Sequence, residues 1–183
     1  MATPKRMPWR YHDGGRKAAG YTGATGDCVC RAIAIATGRS YAHVYASLNE
    51  LEAMTTRRRL TKGSARTGVN KDVIRKYLTA AGWVFTPTMG IGTGCKVHLA
   101  PGELPVGGGP MIVSVSRHLT CVINGVIYDT HDPQRDPLPI FGGERVRDKD
   151  GQWRNPIVAI QGGRCVYGYW RPGPAADHVA LML

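Results

Sequence analysis

The sequence predicts an α+β domain, with helices in its first half and a mostly antiparallel sheet in its second. Two observations lead there. Apolar residues recur at helical spacing between residues 28 and 81, and short strand-like runs replace them further on. Helices and strands fall in separate blocks, which is the order of an α+β architecture. Gly and Pro number 24 and 12 of the 183 residues, so many turns surround a modest framework and a helical bundle is excluded.

Residues 1–20 read as a basic N-terminal arm that can be flexible, with Trp9 and Tyr11 able to dock it; residues 21–183 read as one domain. A small-residue loop, Tyr21 to Asp27, leads into a helix over 28–37. Val29, Ala32, Ile33 and Ala36 give that helix one apolar face, and Gly38 ends it. Ser40 is a good N-cap for a second helix over 41–54, whose buried face is Tyr41, Val44, Tyr45, Leu48 and Leu51. A basic loop with Arg57, Arg58 and Arg59 follows, and Asn70 can cap a third helix over 71–81. Strands are expected at 83–86, 96–99 and 111–116. Asn124-Gly125 between two apolar runs signals a hairpin with a type I′ turn, which demands positive φ at both positions. Residues 132–155 form a polar excursion, and 157–160 and 165–170 supply the last strands.

The formal net charge is +11. Residues 1–70 hold 12 basic and 4 acidic side chains, and residues 71–183 hold 12 and 9, so the excess lies in the first half. Such a field suits an acidic protein partner or nucleic acid, and equally a solvated surface. No apolar run reaches membrane-spanning length and no secretory leader is evident, so a cytoplasmic protein without a membrane partner is expected. The five cysteines have irregular spacings without C-x-x-C, which argues against a zinc ribbon or redox motif. A cytosolic chain keeps all five reduced. No metal and no cofactor are expected. Gly90-x-Gly92-x-Gly94 lacks the Lys-Ser/Thr of a phosphate loop and reads as a flexible rim that could line a cleft.

Cys28 opens the first helix, where unpaired N–H groups and the helix dipole favour an anion and therefore a thiolate. The same N–H groups can hold an oxyanion. Cys30 lies inside the first turn and points elsewhere. His118 opens the first strand of the hairpin. With Asn124-Gly125 as the loop, His118, Thr120, Asp129 and His131 share one face, and Asp129 lies diagonal to His118 within hydrogen-bonding reach. Asp132 is the alternative acid if the strand end bends back. Cys121 faces Tyr128 and points away from His118. A Cys, a His and an Asp distant in sequence suit nucleophilic catalysis, with the carboxylate fixing the imidazole tautomer.

Gly26-Asp27-Cys28-Val29-Cys30-Arg31-Ala32 followed by a helix resembles the nucleophile segment of papain-like cysteine peptidases. It is most similar to the bacteriocin-leader peptidase branch, where an Asp also precedes the Cys. The run from Ile112 to Gly125, with Tyr128-Asp129-Thr130, looks like the family's histidine strand and acidic partner. Arg164 to Trp170 resembles the tail of small uncharacterised phage and bacterial proteins. The resemblance spans the order of elements over residues 21–170 and implies a papain-like fold, with the nucleophile at a helix start packed on the sheet. It implies a thiol hydrolase acting on a peptide or isopeptide bond of a protein or peptide substrate, with Cys28, His118 and Asp129 as the triad. The family places a Gln six residues before the Cys as oxyanion donor. This chain has Thr22 there, so Thr22, Thr25 or a backbone N–H would take the role. Substrate-selecting loops are expected at 86–110 and 132–155.

Three other classes compete. One is a catalytically weak papain-like fold that binds and inhibits a host factor. Another is a basic nucleic-acid-binding protein using Arg57, Arg58 and Arg59. A cell-wall amidase would need export or a lysis partner.

Overall fold

A computed structural model describes residues 6–55, 63–105, 107–135, 138–141, 143–161 and 163–174. The expected basic patch at Arg57, Arg58 and Arg59 lies outside the described residues. The chain is α+β. Its elements are β1 (Trp9–Tyr11), α1 (Cys28–Thr37), α2 (Tyr41–Thr55), α3 (Lys71–Ala80), β2 (Trp83–Pro87), β3 (Pro110–Val115), β4 (His118–Ile123), β5 (Val126–Asp129), β6 (Leu138–Phe141), β7 (Val146–Arg147), β8 (Trp153–Arg154), β9 (Ile157–Gln161) and β10 (Val166–Pro172). A six-stranded mixed sheet runs β1-β5-β4-β3-β10-β2, and β6-β9 and β7-β8 form two small ribbons. No helix among the described residues is long and apolar enough to cross a membrane.

The sheet has a core on each face. On one, Ile33, Val44, Leu48 and Leu78 from the helices pack with Ile112, Cys121 and Trp170. On the other, Met7, Leu99 and Leu104 cover Met111, Val113, Val115, Val122 and Ile127. Coverage on both sides explains why β3 reads as a continuous apolar run rather than an alternation. Truncating a fully buried residue such as Leu48 to Ala would cost about 2–5 kcal/mol.

Local signals account for most boundaries. Gly38 ends α1 in the left-handed region at φ 69°. The Ser40 hydroxyl accepts from the His43 N–H at 3.3 Å at the start of α2. Asn70 precedes α3 as expected, but its side chain makes no capping bond. Its amide donates instead to Glu52 Oε2 at 2.7 Å, while its backbone N–H donates to Oε1 at 2.5 Å. Buried Glu52 therefore ties α2 to the start of α3. The β4–β5 turn has Asn124 at φ 50° and Gly125 at 76°, the signs a type I′ turn requires. Its register is Ile123↔Val126, Val122↔Ile127 and Cys121↔Tyr128.

Three expectations are corrected and a fourth is sharpened. The arm expected to dock through Trp9 and Tyr11 does so as a strand: β1 pairs in parallel with β5, and the His12 N–H donates to the Asp129 carbonyl at 3.0 Å. Pairing across more than a hundred residues leaves no local trace for a sequence pattern to carry. Residues 96–99 form no strand; a single bridge joins His98 to Cys165. That bridge sets Cys95 and Cys165 at a Cα–Cα distance of 5.8 Å, and they form a disulfide, so the five thiols are not all free. Cys28, Cys30 and Cys121 are the free ones. The Gly90–Gly94 loop turns back on itself through a bond from the Gly90 N–H to the Thr93 hydroxyl at 2.9 Å and contributes no lining to the cleft described next.

Candidate active site

The start of α1 and the mouth of the β3–β4–β5 unit meet at a cleft of about 710 Å³. Cys28, His118 and Leu119 line it, with Ile74, Phe85 and Trp170 among its apolar walls. The β4–β5 register puts His118 and Asp129 on one face, and the Asp129 carboxylate meets His118 Nε2 at 2.6 Å. Both residues are buried. The other carboxylate oxygen accepts from the Thr130 N–H at 2.7 Å, so Asp129 is held from two sides.

Bonding of Nε2 to Asp129 leaves Nδ1 for the thiol. Burial pushes the Cys28 thiol up, but a hydrogen bond from His118, another from the Leu119 N–H and the charges of His118 and Arg31 outweigh it. The thiol ends below its ordinary value of 9.0. Burial pulls His118 down, yet its bonds to Asp129 and Cys28 and their charges raise it from 6.5 to about 9. Burial would raise Asp129, and the His118 bond and charge hold it below 3.8. Each partner thus favours the charged form of the next. The other two free thiols behave oppositely. Burial and the Asp27 charge raise Cys30 to about 12, and burial with the Asp129 charge raises Cys121. Of the free thiols, Cys28 is the one tuned toward thiolate.

A second network, unforeseen from sequence, locks the helix to the hairpin. Buried Asp27 forms ion pairs with Arg16 Nε and Arg31 Nε, each at 3.0 Å, and accepts a hydrogen bond from the Tyr41 hydroxyl at 2.5 Å. Arg31 then donates to the Thr130 hydroxyl at 2.6 Å. A continuous chain of polar contacts therefore runs from the residue before Cys28 to the residue after Asp129. Its sequence trace is the i,i+4 pair Asp27–Arg31; the Arg16 and Thr130 ends have none. Arg164 acts similarly at the mouth, donating to the carbonyls of Ser116 and Pro133. Arg117, between Ser116 and His118, adopts φ 56°, a strained conformation for a non-glycine residue immediately before the imidazole.

The remaining expected residues fall elsewhere. Asp132 pairs with Arg6 at 2.9 Å and makes no bond to His118. Thr22 is exposed and is not among the cleft residues. Thr25 lies on the rim, but its hydroxyl donates to the Arg66 carbonyl at 2.8 Å, which commits its one proton. Neither threonine is therefore poised as an oxyanion donor. The expected selecting loops are likewise displaced. Beside the start of α1, the cleft takes most of its lining from 67–75 and 114–119, with Phe85, His131, Tyr167 and Trp170, and no described residue of 86–110 or 132–155. The His118, Asp129 and His131 ligand atoms lie within 4.8 Å of one another, a spacing that could hold a divalent cation. The 2.6 Å bond to Asp129 occupies His118 Nε2, so a cation bound through His118 without breaking that bond would have to take Nδ1, the nitrogen that otherwise faces the Cys28 thiol. Comparison with protein-family models, with curated proteins and with solved structures finds no match.

Proposed function

We propose that this chain is a thiol hydrolase of papain-like fold that cleaves a peptide or isopeptide bond. The observation that carries the reading is one buried imidazole, His118, set between a buried carboxylate and a helix-start thiol whose ionisation it promotes. The Cys28 thiolate attacks the substrate carbonyl carbon, forming a C–S bond and moving the carbonyl electron pair onto oxygen. Backbone N–H groups in the first turn of α1 receive that oxyanion, since neither Thr22 nor Thr25 is placed to do so. Protonated His118 gives its proton to the leaving nitrogen as the C–N bond breaks, leaving a thioester. Water then attacks the thioester carbon while His118 takes its proton; the C–S bond breaks, Cys28 leaves as thiolate and the carboxylic acid product departs. Asp129 holds the ring orientation and stabilises the imidazolium throughout.

The test is the rate of alkylation by a neutral reagent at Cys28, Cys30 and Cys121 across pH, mapped by peptide mass in wild type and His118→Ala. Cys28 is expected to react fastest below pH 7 and to lose that advantage in the variant. A Cys28 that titrates as an ordinary thiol, or is silent, would overturn the proposal.

A second reading is a binding protein that keeps the fold without turnover. It draws support from the lack of a side-chain oxyanion donor at Thr22 and Thr25. Under it, Cys28→Ala and His118→Ala act like wild type in cells.

A further inference from the structure

The charge around the cleft is one-sided. Arg31, Lys71, Arg75 and Arg117 line it, and among the described residues no carboxylate does. Arg31 is committed to Asp27 and Thr130. The other three are exposed and have no ion-pair partner among the described residues. Lys71 and Arg75 are one helical turn apart on α3 and so point the same way, while Arg117 stands on the strained β3–β4 turn beside His118. Between them lies an apolar floor that includes Ile74 and the tilted pair Phe85–Trp170, with ring centroids 5.0 Å apart.

We infer that the cleft selects an acidic peptide, with Asp or Glu side chains flanking the scissile bond on Lys71 and Arg75 and on Arg117. The inference rests on the thiol-hydrolase reading for what happens next, and on charge and shape for what binds. Concave walls with an apolar floor suit a short peptide, whose backbone and apolar groups fill the floor while carboxylates meet the rims. A nucleic acid would demand a longer basic track of phosphate contacts than three cations converging on one cleft. Exposed cations of this kind contribute more to selecting a partner and speeding encounter than to raw affinity.

Binding is measured by fluorescence anisotropy on the full chain carrying Cys28→Ala, so that no turnover intervenes. The probes are three labelled peptides of one length, rich in Glu, Gln or Lys, and a single-stranded oligonucleotide. The Glu peptide is expected to bind about tenfold or more tighter than the Lys peptide at low salt, with the gap closing as salt rises. Lys71→Glu with Arg75→Glu should abolish that preference, and Lys71→Met with Arg75→Met should reduce it part-way. Equal binding of the three peptides would overturn the inference. So would an oligonucleotide that binds tighter than the Glu peptide and is lost through the same substitutions. Either result leaves the Cys28 alkylation test untouched, and an ordinary Cys28 would refute hydrolysis without altering which peptide binds.

Discussion

Replacing Asp129 with Asn keeps the size of the side chain and removes its charge. The carboxylate is 5% exposed and 2.6 Å from His118 Nε2, so the change acts on a buried, charge-assisted bond. A hydrogen bond to a charged group contributes about 1.5–3 kcal/mol, and about 1.4 kcal/mol corresponds to one pKa unit. The amide oxygen of Asn still accepts from the ring, which places the loss toward the lower end. His118, raised to about 9 in the wild type, should therefore titrate roughly one to two pH units lower in the variant. The imidazolium is also what holds Cys28 as thiolate, so alkylation of Cys28 near pH 8, where the wild-type ring keeps its proton and the variant ring has lost much of it, should slow by up to about tenfold. The assays are the NMR titration of the His118 ring and the alkylation rate at Cys28. Asp132→Asn is the control, because Asp132 pairs with Arg6 and should leave both readings where they are. A His118 midpoint unmoved in Asp129→Asn, or moved equally in Asp132→Asn, would refute the reasoning.

Three further outcomes follow from the same geometry. Asp27→Asn removes the buried carboxylate shared by the half-buried Arg16 and Arg31, which keep their bonds to the Thr22 and Gly23 carbonyls and to Thr130, and should lower the unfolding free energy by about 1–3 kcal/mol in denaturant titration; a loss below about 0.5 kcal/mol would mean that water replaces the pairing. Cys165→Ser opens a crosslink between residues 70 apart, for which chain entropy gives about 4 kcal/mol, while unreduced wild type should show three titratable thiols after denaturation. The His118–Asp129 pair should leave a signature in stability against pH. His118 is raised in the fold, so its contribution is full below 6.5 and is lost as pH rises through about 9. Asp129 is lowered, so its contribution is present above 3.8 and lost as pH falls through its depressed value. A stability curve that His118→Gln leaves unchanged in shape on the alkaline side would contradict this.

The parts legible in the sequence share one property: a local rule fixes them. Asn124-Gly125 sets the turn type, the turn sets the register, and the register alone puts Asp129 rather than Asp132 beside His118. The apolar period from Cys28 and the closing Gly38 fix α1 and so the address of the thiol. What escaped is pairing at a distance. Arg16 reaching Asp27, β1 adding itself to β5, and Cys95 finding Cys165 each join segments with no shared periodicity or turn. The threonines failed as oxyanion donors for a related reason, because the partner that occupies Thr25, the Arg66 carbonyl, comes from a loop far along the chain.

The distance between the helix and the hairpin has a consequence for the order in which the chain is made. Cys28 and α1 leave the ribosome ninety residues ahead of His118, a lag of about 5–20 s at ordinary synthesis rates. Through that interval β1 has no strand to join, and Cys28 has neither an imidazole nor the Leu119 N–H beside it. The nascent thiol then lacks two of the groups that favour its thiolate in the fold. Docking of β4 onto α1 is what brings His118 and the Leu119 N–H to the thiol, so the Cys28 environment is set by a contact between two distant segments and not by α1 alone.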